Sequence, residues 1–242
     1  MSVSKEGIVL RATPYGESRI IVNLYTPEEG TIGLIATISK KGRSGLKKAH
    51  FQNLQILEVN HAEKSKGELK RLEEARIHYS YQNLYFDPIR SCLSLFLSEF
   101  LYKVLKDEDG DPDLYPFLKQ SLISLDATQH NVANFHLVFL MELTAYLGFS
   151  PNLGLNDKPG YFDLMAGETL SSMPDHPHFI DPSEVALWQE LQSKGIARWP
   201  EVDLRSNRLR RQALESLINY YRLQLNDFGT LKSLSILREV LA

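Results

Sequence analysis

The chain has 242 residues, 43% of them hydrophobic, and a formal net charge of −3. That is enough apolar material for a well-buried core in two domains, or in one domain with an appendage, and it excludes a disordered chain. No apolar run approaches the roughly 18 residues of a membrane span, and no long apolar stretch follows a basic start, so a cytoplasmic protein is expected.

Residues 1 to 79 carry 13 Lys+Arg against 9 Asp+Glu, a net +4. They alternate with period two: Ile8 and Leu10, then Ile20, Val22 and Leu24, then Ile32, Leu34, Ala36 and Ile38. Half-buried strands have this pattern. Turn signals separate them at Pro14-Tyr15-Gly16-Glu17-Ser18 and Thr26-Pro27-Glu28-Glu29-Gly30, and further strands are expected at Gln52 to Val59 and Leu69 to Tyr79. Five short strands suit a small closed barrel, and the five-stranded OB-fold is one whose face and loops bind oligonucleotides. Between the third and fourth strands lies Ser39-Lys-Lys-Gly-Arg-Ser-Gly-Leu-Lys-Lys48, with five cations and no acid in ten residues. A glycine-bearing loop of this kind can follow a phosphate backbone without a fixed register.

The period changes at Asp87-Pro88, where an N-cap and a first-turn proline precede apolar residues at 89, 92, 93, 96, 97, 100, 101 and 104. Cys92, the only cysteine, shares that face with Leu93, Phe96 and Phe100 and reads as a small core residue; alone it excludes disulfides and Cys-x-x-Cys zinc sites within the chain. Further helices are expected from Asp113 to Leu125 and from Val132 to Leu147, the latter apolar nearly all round and ended by Gly148. A loop-rich stretch, with at most a hairpin at Tyr161 to Leu170, precedes helices at Ser183 to Gln192, Ser206 to Leu225 and Thr230 to Leu241. Residues 80 to 179 hold 5 Lys+Arg against 13 Asp+Glu, a net −8 that would repel phosphate, and the remainder is +1.

Other candidates for chemistry fall away. Asp107-Glu-Asp-Gly-Asp-Pro-Asp113 mimics the start of a calcium loop, but the positions that need Gly and a bidentate Glu are Pro112 and Leu118. His176 and His178, with Asp175 and Asp181, lack a third oriented histidine. No phosphate-cradling glycine motif or nucleophile elbow is present, and a nuclease reading of the Asp-rich loop lacks a ligand pattern. No catalysis and no cofactor are expected. A second basic cluster, Arg205, Arg208, Arg210 and Arg211, sits where the helix dipole disfavours cations, which points to a ligand.

Gly7-Ile-Val-Leu-Arg11, Tyr15-Gly-Glu-Ser-Arg19-Ile-Ile-Val, Leu24-Tyr-Thr26 followed by Gly30, and Ser39-Lys-Lys-Gly-Arg43 resemble the RecO recombination mediators. Phe135 to Pro151 resembles that family's central helix, and Leu231 to Leu241 its C-terminal helix. The resemblance implies an α+β protein: an OB-fold domain over residues 1–80 and a helical domain over 81–242, with a loop-rich insertion at about 151–182 where the family commonly carries a four-cysteine zinc module. No cysteine stands there, so no such zinc site is expected. It further implies a nucleoid-associated protein of bacterial DNA repair that binds single- and double-stranded DNA, anneals complementary strands and cooperates with RecR. Single-stranded DNA-binding protein, through its acidic C-terminal tail, is an expected partner, and the recombinase RecA an indirect one. The residues expected to contact DNA are Arg11, Lys40, Lys41, Arg43, Lys47 and Lys48, extended by the late arginines, with Tyr15 and Tyr25 first among the aromatics that could stack on bases. The alternative is a protein adaptor whose helical half recruits partners and which binds DNA only weakly.

Overall fold

The computed structural model describes residues 2–38, 46–62, 69–106, 108–154 and 160–241. Lys40, Lys41 and Arg43 lie outside them. Five strands, β1 (Ser2–Tyr15), β2 (Arg19–Thr26), β3 (Gly30–Thr37), β4 (Ile56–Ala62) and β5 (Lys70–Ile77), close a barrel in the order β1-β2-β3-β5-β4. The first half of β1 pairs with β4 and the second with β2, so one long strand serves two neighbours and turns the corner between them. A parallel pairing of β3 with β5, Leu34 with Lys70 and Ile35 with Arg71, closes the wall. Inside, Val9, Ile20, Val22, Leu24, Ile32, Leu34, Ala36, Leu57, Val59 and Leu72 form the core expected of the alternation.

One position departs from it. The register shifts between Val9 and Arg11, and Val9 joins the barrel core while Ile8 and Leu10 are buried outside that cluster. A bulge re-aims side chains in this way. The outer side is covered by α1 (Pro88–Leu105), which packs along β1, with Ser98 donating to the Leu10 carbonyl. Its start is as expected: Pro88 opens it and the Asp87 carboxylate accepts from the Arg90 amide at 2.9 Å.

Two further devices complete this part. The buried Asp126, at the end of α2 (Leu114–Ala127), accepts from three successive amides, those of Gln82, Asn83 and Leu84, at 2.7 to 3.1 Å. The β2–β3 turn meets the loop before α2: Gly30 at φ +65 lies under the carbonyls of Glu108 and Asp109, and Gly110 lies against Pro27 and Glu28. Asp111 caps α2 by accepting from Leu114 at 3.0 Å. Residues 108–110 of the acidic segment that imitates a calcium loop are thus a backbone clasp for the barrel.

The rest of the chain contains α3 (Phe135–Tyr146), buried on nearly every side and stopped at Gly148 with φ +81, then α4 (Pro182–Lys194), α5 (Asn207–Gln224) and α6 (Ser233–Val240). The expected hairpin is present as β6 (Tyr161–Asp163) and β7 (Glu168–Leu170), and β8 (Phe179–Ile180) adds a third strand in the order β7-β6-β8. Phe162 packs its ring 5.4 Å from Trp188 and 5.7 Å from Tyr220. The chain divides into two compact units, Met1–Thr128 with Leu231–Leu237, and Gln129–Thr230 with Arg238–Ala242. The secondary structure changes character near residue 80, but α1 and α2 belong to the barrel's unit.

The cysteine-free sheet is pinned by Asp163. Its carboxylate accepts from the Met165 amide at 2.8 Å, from the Ala166 amide at 3.1 Å and from the His176 ring at 3.1 Å. Burial alone would raise its pKa, but these donors hold it below the ordinary value of 3.8. A depressed folded pKa gives stability that is present above the unfolded value and lost as pH falls through the folded one. The sheet is therefore expected to loosen below about pH 4, readable as a change in Trp188 fluorescence. An Asp163→Asn variant that follows the wild-type profile at every pH would remove this account.

Candidate nucleic-acid interface

Lysines and arginines on the barrel unit divide into those already neutralised and those that are not. Lys5 pairs with Glu28 at 3.2 Å and Glu29 at 3.0 Å, Lys70 also pairs with Glu29, and Lys119 reaches Glu6 at 2.7 Å. Burial works against the Lys5 ammonium, yet its hydrogen bonds to the two glutamates hold its pKa above 10.5, and Lys70 holds the Glu29 carboxyl low. These cations are committed to holding the fold. Arg11, Arg19, Lys47, Lys48 and Arg71 make no ion pair among the described residues, and all five are exposed.

Each of the five has a definite seat. Arg11 stands at the β1 bulge with its guanidinium 5.1 Å from the centroid of the Tyr102 ring. Arg19 opens β2 and lies 5.0 Å over the ring of Tyr15, a residue 48% exposed. Lys47 and Lys48 begin a short 3-10 turn, Lys48–Phe51, anchored by buried Phe51. Arg71 faces outward from β5 beside the inward Leu72. Ile38 and Leu46 fix the two points where the basic segment joins the barrel, and Leu46 is buried in the core.

An open cleft of about 620 Å³ lies between β3 and β5, lined by Arg19, Ile35, Thr37, Leu46, Arg71 and Leu72, with Glu73 beside them. Arg19 and Arg71 are not among the cations that the sequence marks for DNA. No motif joins them, because they sit on strands far apart in sequence and share a cleft only through the parallel β3–β5 pairing. Outward parity on an exposed strand was the available clue.

Tyr25 corrects an expectation. It is fully buried, its ring stacks 6.4 Å from Tyr115, and burial pushes its hydroxyl up to about 12. It cannot stack on a base, whereas Tyr15 is accessible.

Arg208, Arg210 and Arg211 lie in the first turns of α5, and Arg205 stands just before its Ser206 cap. Three of them have partners there. Arg205 forks onto Asp203 at 2.9 Å to each oxygen, Arg210 donates to the Leu204 carbonyl and the Asn207 side chain, and Arg211 donates to the Arg238 carbonyl at 3.1 Å. The last places a cation at the carbonyl end of α6, where the dipole favours it. Arg208 is exposed and carries no ion pair among the described residues. This cluster and the barrel cations belong to different compact units. Among the described residues no group of three or more His, Cys, Asp or Glu could hold a metal ion, and no helix is long and apolar enough to cross a membrane.

Known proteins match this chain along nearly its whole length. The model of the recombination protein O N-terminal region matches residues 1–81, and that of its C-terminal region matches residues 85–235. The protein named DNA repair protein RecO from Bacteroides fragilis is 34% identical over 236 residues, covering 97% of each chain. Those of Christiangramia forsetii and Flavobacterium psychrophilum are 32% and 33% identical over 99% of each chain. With both family models in sequence order and relatives matched end to end, the chain belongs to the RecO family of DNA repair proteins.

Proposed function

We propose that this protein is a non-catalytic DNA-binding mediator of recombinational repair, which neutralises the phosphates of single strands and so lets complementary strands pair. What carries the reading is the set of exposed cations without ion pairs among the described residues, Arg11, Arg19, Lys47, Lys48 and Arg71, on the barrel from which the basic segment departs. Lys40, Lys41 and Arg43 add three charges to that segment. Mutual repulsion limits the encounter of two strands, and a cationic surface lowers it; the duplex supplies the free energy, so no nucleotide cofactor is needed. Tyr15 is the aromatic in reach of a base beside Arg19.

In this reading Arg208 adds a separate contact on the other unit, while Arg205, Arg210 and Arg211 serve the fold first. The same proposal includes association with RecR, with the acidic tail of single-stranded DNA-binding protein and indirectly with RecA, supported by the resemblance to that family. Substrates would be single and double strands in the bacterial cytoplasm.

The test is fluorescence anisotropy of a labelled single-stranded oligonucleotide across a salt series, followed by annealing to its complement. Each phosphate contact on a single strand contributes about 0.7 to the slope of log affinity against log salt. Replacing Lys40, Lys41 and Arg43 together with alanine should flatten that slope by about 2 and slow annealing. An unchanged slope would reduce the segment to a solvated turn. Absence of binding by the wild type at low salt would favour an adaptor that meets DNA only through partners.

A further inference from the structure

The pairing that closes the barrel is short. Beyond Leu34–Lys70 and Ile35–Arg71, β3 stays with β2 through Ala36 and Thr37, and β5 stays with β4 through Leu72 and Glu74. The two strands part, and the cleft opens in the wall between them. Ile35, half-buried, with buried Leu46 and Leu72, supplies an apolar floor; Arg19 and Arg71 supply cations, Thr37 a hydroxyl and Glu73 a carboxylate.

Resting on the DNA-binding reading above, we propose that this opening takes one unstacked nucleotide of a single strand, its base against the Ile35, Leu46 and Leu72 floor and its flanking phosphates on Arg19 and Arg71. The cleft therefore adds a contact that a single strand can make and that a duplex, bound through its phosphates alone, does not use. Three features support this occupant. A volume of about 620 Å³ is in the range of small-ligand clefts and is ample for a nucleotide. An apolar floor inside a cationic rim matches a molecule that is a flat ring at one end and an anion at the other. Glu73 then has a partner, because bases present ring N–H and amino donors, whereas an acidic peptide would bring a second carboxylate to it. Arg19 is steadied by the Tyr15 ring, so its guanidinium is held in place before a strand arrives. A paired base is stacked and hydrogen-bonded inside the duplex, and extracting it costs free energy that a single strand does not need to supply.

The experiment compares two labelled oligonucleotides of equal length and charge, oligo-dT and the same backbone with abasic spacers throughout, bound to the full-length protein at several salt concentrations. The expected result is about tenfold tighter binding of oligo-dT, the order of effect of seating a base, with similar salt slopes for the two. Ile35→Ser should bring that ratio close to one, and Arg19→Ala with Arg71→Ala should flatten the salt slope by about 1.4. Equal affinity of the wild type for both strands would overturn the base pocket while leaving the DNA-binding reading intact. Failure of both strands to bind at low salt would remove that reading and the pocket with it. Displacement of oligo-dT by an acidic peptide carrying phenylalanine, but not by thymidine monophosphate, would assign the cleft to a protein partner and overturn the proposal.

Discussion

Asp126→Ala is expected to cost about 4 kcal/mol of stability, seen as a fall of roughly 10 °C or more in the midpoint of thermal unfolding. Asp126 is 1% exposed and its carboxylate is the acceptor for the amides of Gln82, Asn83 and Leu84. Alanine leaves those three donors facing a space without an acceptor, and each buried donor so stranded costs on the order of 1–3 kcal/mol. The Tyr79 hydroxyl, 3.4 Å from the same carboxylate, loses a partner as well. These groups lie on the connection between β5 and α1, so their release detaches the first helix from the barrel's exit. Asp126→Asn keeps one acceptor oxygen and should cost about half as much. Calorimetry of both variants checks the ordering, and an alanine variant within about 1 kcal/mol of wild type would show that the connection is held by its tyrosines instead.

Gly30→Ala is the second large effect, at about 3 kcal/mol. Gly30 has φ +65, where a β-carbon costs about 1 kcal/mol before any contact is counted. Here the added carbon would also stand 2.7 Å from the Asp109 carbonyl carbon and closer still to the Glu108 oxygen. Both neighbours are backbone, so no side chain can swing away, and the clasp must open for the methyl group to fit. Gly110→Ala makes the reciprocal test from the other side, its β-carbon falling 2.5 Å from the Pro27 carbonyl oxygen. The two variants should be strongly non-additive, because either one alone opens the same clasp. Equal unfolding midpoints for Gly30→Ala and wild type would mean that the turn and the loop are not in close contact in solution.

The barrel was legible because period-two burial on β2 and β3 writes itself into alternating Ile, Val and Leu. The bulge in β1 was not, since Ile8, Val9 and Leu10 are all apolar and any register fits them. Tyr25 misled for a related reason. Its parity points away from the barrel interior, but α2 covers that side with Tyr115, so the residue is buried from outside. The helix start at Asp87-Pro88 was readable because the cap is local chemistry, and Asp181-Pro182 carries the same signal one residue ahead of the start expected at Ser183. The charge segment at residues 39–48 was readable as composition, whereas Arg19 and Arg71 needed a pairing between strands that loop length alone does not specify. The late arginines showed the limit of a dipole argument. Arg205 and Arg210 find partners within a few residues, and Arg211 finds the end of a helix 27 positions on.

Glu99 sets an order of events. Its carboxylate accepts from the amides of Lys232 at 2.9 Å and Ser233 at 2.8 Å, and from the Ser233 hydroxyl at 2.6 Å, so a residue on α1 caps the start of α6. Burial would raise its pKa, but those donors hold it below 4.5 and keep it charged. Leu231–Leu237 belong to the barrel's unit, yet they follow residues Gln129–Thr230 of the second unit in the chain. A ribosome therefore delivers the barrel, α1 and α2 first, and Glu99 emerges as a half-buried anion with nothing to accept from. Throughout the synthesis of some hundred further residues the first unit stays unfinished, and a chaperone or protease that reads the uncovered side of α1 has that interval in which to act. The part made first waits for a segment made about a hundred residues later.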